Sequence, residues 1–265
     1  MTYIAMTSLT WPEAQVLSSK RPLGLIPTGA VEQHGPQLPL GTDCFIAEEL
    51  AKRIGAAIAG PVVVAPVVPG GLSSHHLAFP GTVTFSEELF GGAISAYIEA
   101  FERMGIENVA IFSGHGGNLD FLGRYEAAHA CSDSSIHLVA HHDLWGYVDA
   151  MFAGARAGGF EPVPTDIHAG GVETSQGLAI FPELVRPFDG VEGYLEGEDG
   201  WVERMLENGM KSVSPSGVLG DVTHATAAAG EQIFVHITDY LAAWIAEALG
   251  YERADAAVSS ASGSG

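Results

Sequence analysis

Residues 25–43, LIPTGAVEQHGPQLPLGTD, decide how this chain reads. An apolar run leads into a loop framed by Gly and Pro. The loop carries a carboxylate, Glu32, an imidazole, His34, and a second carboxylate, Asp43. All three are hard or borderline metal ligands. A carboxylate can bridge two divalent ions, and an imidazole can hold one. Two ions about 3.5–4 Å apart can activate a water and polarise a carbonyl together. The same residues could also be the ordinary polar side chains of a surface loop. Three ligand types on one loop after a strand favour the metal site.

Working outward, residues 23–28, LGLIPT, read as a short buried strand. Thr42 can cap a helix over 43–59, with Ile46, Leu50 and Ile54 at helical spacing. Upstream, Thr10-Trp11-Pro12-Glu13 reads as a helix start with Glu13 at the capping-box position. Downstream, β-branched residues 62–68 predict a second buried strand, ending in the loop GGLSSHHLAFPGTVTF. Ser86 opens a helix to Met104, and Val109–Phe112 form a third strand that empties into SGHGGN. Asn118 can cap a helix to Ala130, residues 136–140 form a fourth strand, and 226–249 read as a closing amphipathic helix. Residues 186–222, rich in Gly and acids, read as an irregular excursion near the site or at an oligomer contact. Alternating strands and helices predict an α/β fold with a parallel sheet. Each polar cluster follows a strand, so the clusters converge at the strands' carboxyl ends. A single domain over 1–255 is expected, with a disordered Ser/Gly/Ala tail at 256–265.

Charge narrows the function. The chain has 265 residues, with 32 acidic against 11 basic residues and a formal net charge of −21. That balance argues against nucleic-acid or anionic-membrane partners, because no basic patch is available to neutralise phosphates. The two cysteines, Cys44 and Cys131, lack C-x-x-C spacing, so no disulfide framework is indicated and a reducing compartment is expected. Met1–Ser8 lacks the basic and apolar regions of a signal peptide. No apolar stretch nears the roughly 18 residues of a membrane span. A cytoplasmic protein acting on a small molecule is the expectation.

Two further clusters carry chemistry. In Ser113-Gly114-His115-Gly116-Gly117-Asn118, three glycines let the backbone approach an ion held by His115. The alternative is a Gly-rich turn or anion nest before a helix. No Lys accompanies the glycines, so the phosphate-loop pattern is not met. In IHAGGVETS, residues 167–175, Glu173 sits near a helix start, where the dipole alone favours a carboxylate. His168 beside it can serve as general acid or base, since an imidazole titrates near neutrality.

The segments EQHGPQLPLGTD, SSHHLAFPGTVTF, SGHGGN and HAGGVETS, in this order, closely resemble the creatininase (creatinine amidohydrolase) family across residues 8–250. The resemblance implies a three-layer α/β/α fold with a mostly parallel central sheet. It implies a binuclear centre of two divalent metal ions, zinc before manganese or iron, and a homo-oligomer, commonly a hexamer. It also implies hydrolysis of C–N bonds in small amides, cyclic amides or formamides. Carried over, Glu32 and His115 hold one ion, His34 the other, and Asp43 bridges them. Glu173 completes the second ion's shell or positions the water, and His168 is the acid/base histidine. His76, Trp145 and the Gly116 and Gly117 amides border the substrate. The family also includes a peptidase of mycofactocin maturation and a ring hydrolase of inosose derivatives. That leaves ring opening, or an idle metal-binding oligomer, as alternatives. Two departures speak against creatinine itself. Gln37 replaces a second histidine found in many members, and Gly116 and Gly117 replace a Tyr and a Glu.

Overall fold

The computed structural model describes residues 3–254, so the tail expected at 256–265 lies outside the described residues. Five strands form one sheet: β1 Tyr3–Ala5, β2 Leu23–Thr28, β3 Val62–Val64, β4 Asn108–Ser113 and β5 His137–Ala140. Their order is β1-β3-β2-β4-β5, and every pairing is parallel. Among the described residues, eight α-helices accompany them: α1 Trp11–Leu17, α2 Thr42–Ala57, α3 Glu87–Arg103, α4 Leu119–His129, α5 Leu144–Ala157, α6 Gly171–Ile180, α7 Trp201–Asn208 and α8 Ala227–Leu249.

The three layers follow from the two-residue period of a strand. Leu23, Leu25, Val62, Val64, Ala110 and Phe112 face one side and pack with α2, α5, α6 and α8, through Ile46, Leu50, Met151, Ile233 and Phe234. Ile26, Val63, Val109 and Ile111 face the other side and meet α3 and α4, through Phe90, Ile94, Phe101 and Leu122. A buried strand between two helical layers must be apolar on both faces, and all six residues of β2 are buried.

Chain direction reverses at the centre. From β2 the chain runs through α2 to β3 on one side, while β4 lies on the other. The loops after β2 and β4 therefore diverge at a topological switch point, where open α/β sheets form ligand crevices. Pro27 suits this place. Its carbonyl accepts from Val68 N at 3.0 Å, so its missing N–H falls on the side where β3 has already ended.

Several expectations need correction. Tyr3–Ala5 is a fifth, edge strand that was not expected. The strand expected over 62–68 stops at Val64, leaving an isolated bridge from Thr28 to Val68. Thr42 lies inside α2, whose N-cap is Gly41, and its hydroxyl donates to Pro39 O at 2.7 Å. Asn118 makes no capping bond. Its amide instead ties three segments together: it donates to Gly29 O and Ser113 Oγ, both at 3.1 Å, and accepts from Leu72 N at 2.9 Å. The excursion over 186–222 contains α7, with Gly200 (φ 78°) and Gly209 (φ 83°) at its two ends. Ser86 and Thr226 cap α3 and α8, accepting from Leu89 N and Ala229 N. Among the described residues, no helix is long and apolar enough to cross a membrane.

Candidate metal centre

The loop from β2 to α2 is held by backbone bonds. Val31 O accepts from Val83 N at 2.8 Å, and Glu32 N donates to Leu40 O at 2.9 Å. Gly29 is required where the loop passes α2, since a Cβ would stand 2.9 Å from the Cys44 backbone. The loop so fixed buries Glu32 and His34 completely, and Asp43 follows on the first turn of α2. From β4, Gly114 N donates to Thr28 O at 2.9 Å and brings His115 alongside. Gly117 leaves room for the His115 ring, because a Cβ there would collide with the ring and lie 2.8 Å from Leu72 O.

These side chains converge. His34 Nε2 lies 2.9 Å from Asp43 Oδ1, and His115 Nδ1 lies 3.4 Å from Asp43 Oδ2 and 3.3 Å from Glu32 Oε1. Asp43 thus faces one histidine with each oxygen. Glu173, on the first turn of α6, brings Oε2 to 3.6 Å from His34 Nε2. Among the described residues, three groups could each hold a cation: Glu32 with Asp43 and His115; His34 with His168 and Glu173; and Glu32 with His76 and His168.

The donor set fits metal ions on two further counts. Both Glu32 oxygens and Asp43 Oδ2 are buried without a hydrogen-bond partner, a costly state for carboxylates unless a cation meets them. The far ring nitrogens face backbone carbonyls, as ligating histidines do. His34 Nδ1 can donate to Glu32 O at 3.1 Å, and His115 Nε2 can donate to Leu72 O at 3.4 Å, leaving His34 Nε2 and His115 Nδ1 as ligand atoms. Without a cation the cluster draws protons. Burial opposes charge on His34, yet Asp43 and Glu173 outweigh it and lift its pKa to about 10. Burial likewise opposes charge on His115, and Glu32 and Asp43 raise it well above its ordinary value. Burial pushes Glu173 up to about 7, although His34 pulls the other way.

His168 and His76 form the opposite wall, their ring centroids 4.6 Å apart. Gln33, which its residue type alone does not single out, joins them. Its Nε2 lies 2.8 Å from His76 Nδ1, 2.8 Å from His168 Nε2 and 3.1 Å from Gly217 O, while its Oε1 accepts from Gly35 N at 3.0 Å. An amide nitrogen has two hydrogens for these three neighbours. The conflict resolves if His168 Nε2 donates to Gln33 O at 2.9 Å and Gln33 donates to His76 and Gly217. His168 then presents an unprotonated Nδ1, 3.7 Å from Glu32 Oε1. Burial, with His34 and His76 nearby, holds its pKa well below the ordinary value, so the ring stays neutral with Nδ1 unprotonated. Burial also lowers His76, to about 3.

The turn carrying His168 is strained. Ala169 has φ 54°, a region costly for any residue with a Cβ. Its N–H donates to Glu173 Oε2 at 2.5 Å, and its carbonyl accepts from Gln37 Nε2 at 2.6 Å. Gln37, which also reaches Thr174 Oγ1 at 3.2 Å, therefore fastens the His168 turn and belongs to none of the three cation groups. Asp166, also unforeseen, accepts from Gly171 N and Val172 N at the start of α6.

A cavity of about 250 Å³ opens beside the cluster, lined by Glu32, His76, His115, Gly116, Gly117 and His168 on one side. His75 and Asp120 border it too. Trp145 does not: it is 59% exposed on the first turn of α5, while its neighbour Leu144 lines the cavity. It lies outside the lining of this cavity and outside the core.

The sequence profile of the creatininase family, described as creatinine amidohydrolase, matches residues 7–245. The chain belongs to the creatininase family. A mycofactocin precursor peptide peptidase from Mycolicibacterium smegmatis is 34% identical over 233 residues, covering 84% of each chain. A 3-dehydro-scyllo-inosose hydrolase from Thermotoga maritima is 27% identical over 237 residues, 82% of this chain and 74% of the other. Among solved structures, a manganese form of creatininase aligns with TM-score 0.73 at 23% identity, covering 92% of this chain and 98% of that one. This creatininase-family chain thus shares the fold of creatininase and the family's hydrolase character.

Proposed function

We propose that this chain is a binuclear metal-dependent amidohydrolase that cleaves a C–N bond in a small molecule. One observation carries the reading: Glu32 and Asp43 are buried with three carboxylate oxygens unpartnered, of which Glu32 Oε1 and Asp43 Oδ2 face His115 Nδ1, while Asp43 Oδ1 meets His34 Nε2. Glu32, Asp43 and His115 would hold one ion, and His34, Asp43 and Glu173 the other. Zinc or manganese suits this mix of carboxylate and imidazole, and the manganese creatininase supports the second. Such ions supply a water ionised near neutral pH and a Lewis acid for the carbonyl.

The chain's own residues supply the rest. His168 accepts a proton at Nδ1 and delivers it to the leaving nitrogen, because an amide nitrogen cannot depart as an anion. The Gln33 backbone carbonyl keeps His168 in the tautomer that leaves Nδ1 free. The Gly116 and Gly117 amides border the cavity where the carbonyl oxygen gains charge. Among amides, a peptide bond is favoured over creatinine, because the M. smegmatis relative is a peptide peptidase at 34% identity. A homo-oligomer, commonly a hexamer in this family, accompanies the reading. Exposed Leu40, Phe45 and Val83 beside the β2–α2 loop support it, and light scattering tests it.

The test of function is direct. Chelator-treated protein should be inactive on a panel of short peptides, formamides and cyclic amides, and zinc or manganese should restore hydrolysis. Hydrolysis that survives metal removal would end this proposal.

A further inference from the structure

The candidate ligand cluster lines only one side of the cavity beside it. The other side is apolar, built by Leu144 of α5, Ile167 just before His168, Val202, Met205 and Leu206 of α7, and Met210 beyond it. α7 turns a helical stripe, Val202 with Met205 and Leu206, into the cavity and leaves Glu203 and Glu207 exposed. Its seating is fixed at Gly209, where a Cβ would stand 3.3 Å from His75 O. Met205 and Met210 are buried, whereas Leu206 is 58% exposed at the rim. None of the lining residues is Lys or Arg, and Asp120 at the mouth is already paired with Arg124 at 3.2 Å. A negatively charged group placed here would lose its water and find no partner. At about 250 Å³ the cavity is smaller than a typical drug-sized site, and two of its wall residues are methionines, which adapt to varied shapes.

We propose that this wall is a side-chain subsite: the amide cleaved carries a compact, uncharged, aliphatic or aromatic group beside the scissile bond, seated against α7. The inference rests on the amidohydrolase reading and deepens it by naming a substrate class. A formyl group would leave the wall uncovered, and a carboxylate-bearing substrate would be refused.

Three hydroxamates test it, since each offers the same chelating head and differs only in its tail. Metal-reconstituted protein is titrated calorimetrically with acetohydroxamate, 3-phenylpropanohydroxamate and succinic monohydroxamate. The phenyl compound should bind at least about tenfold more tightly than acetohydroxamate, given the apolar surface it buries. The succinic compound should bind no more tightly. In Leu206→Asp, and more weakly in Leu206→Ser, the ratio of phenyl to acetyl affinity should fall towards one. Equal affinities for the first two compounds, or tightest binding of the succinic one, would overturn the subsite and leave the amidohydrolase reading standing. Failure of all three to bind metal-loaded protein would overturn that reading and this inference with it.

Discussion

The two halves of the cavity are built by opposite means. The ligand half comes from loops pinned by backbone bonds to the centre of the sheet: Val31 to Val83, Glu32 to Leu40, and Gly114 to Thr28. The apolar half comes mainly from α7, an eight-residue helix between two left-handed glycines that packs in a small cluster of its own with Tyr194, Met205, Met210 and Leu219. Reaction geometry that tolerates little displacement sits on the rigid part. Choice of substrate sits on a part that can change without disturbing the chemistry.

The largest effect that would break this division is at Asp43. Asp43→Ala should release both ions, because each of its oxygens faces a different histidine. Elemental analysis should fall from about two ions per chain to none, with activity lost along with them. Full occupancy in this variant would sink the bridging role. His34→Ala, in contrast, should cost mainly one ion.

Next in size is His168. His168→Ala should lower turnover by about 10²–10⁴-fold with metal content intact, as expected for a lost general acid and base. The alternative is measurable, since His168 belongs to two of the three groups that could hold a cation. Metal loss in parallel with activity would move His168 from proton transfer to ligation.

A smaller effect belongs to the fastening between the two loops. Gln37→Leu keeps the shape but strands the Ala169 carbonyl in the interior, where an unpaired acceptor costs about 1–3 kcal/mol. Thermal unfolding should shift down by roughly 2–4 °C per kcal/mol lost. Metal content should hold, because Gln37 grips the turn and no ion. A metal deficit would show that the strained Ala169 turn sets the position of Glu173.

How far these features were legible in the sequence follows the same division. The sheet, its parallel sense and the meeting of residues 32, 34, 43 and 115 could be read because apolar strand periods were punctuated by Gly, Pro and ligand-type residues. The edge strand Tyr3–Ala5 is too short to show a period. Thr42 and Asn118 looked like caps because residue type suggests a cap, but only the path of the chain fixes which residue takes that place. Gln33 could not have been chosen from the sequence. Its role depends on His76, His168 and Gly217, which lie 43, 135 and 184 residues away. The stripe on α7 spans only five residues, less than one needs to tell a helix from a loop.

The smallest expected effect is at Trp145, and it sharpens the comparison by its smallness. A tryptophan next to a cavity-lining leucine invites a substrate role, because aromatic side chains dominate binding surfaces. On a helix, however, adjacent residues point about 100° apart, so Leu144 can line the cavity while Trp145 faces outward. Trp145→Ala should therefore leave metal content and hydroxamate affinities unchanged and move stability by no more than about 0.5 kcal/mol, as for other exposed positions. A clear loss of affinity for 3-phenylpropanohydroxamate in this variant would mean that α5 rotates or that a second copy of the chain turns Trp145 into the site. The apolar half would then be completed by assembly, and α7 alone would not account for substrate choice.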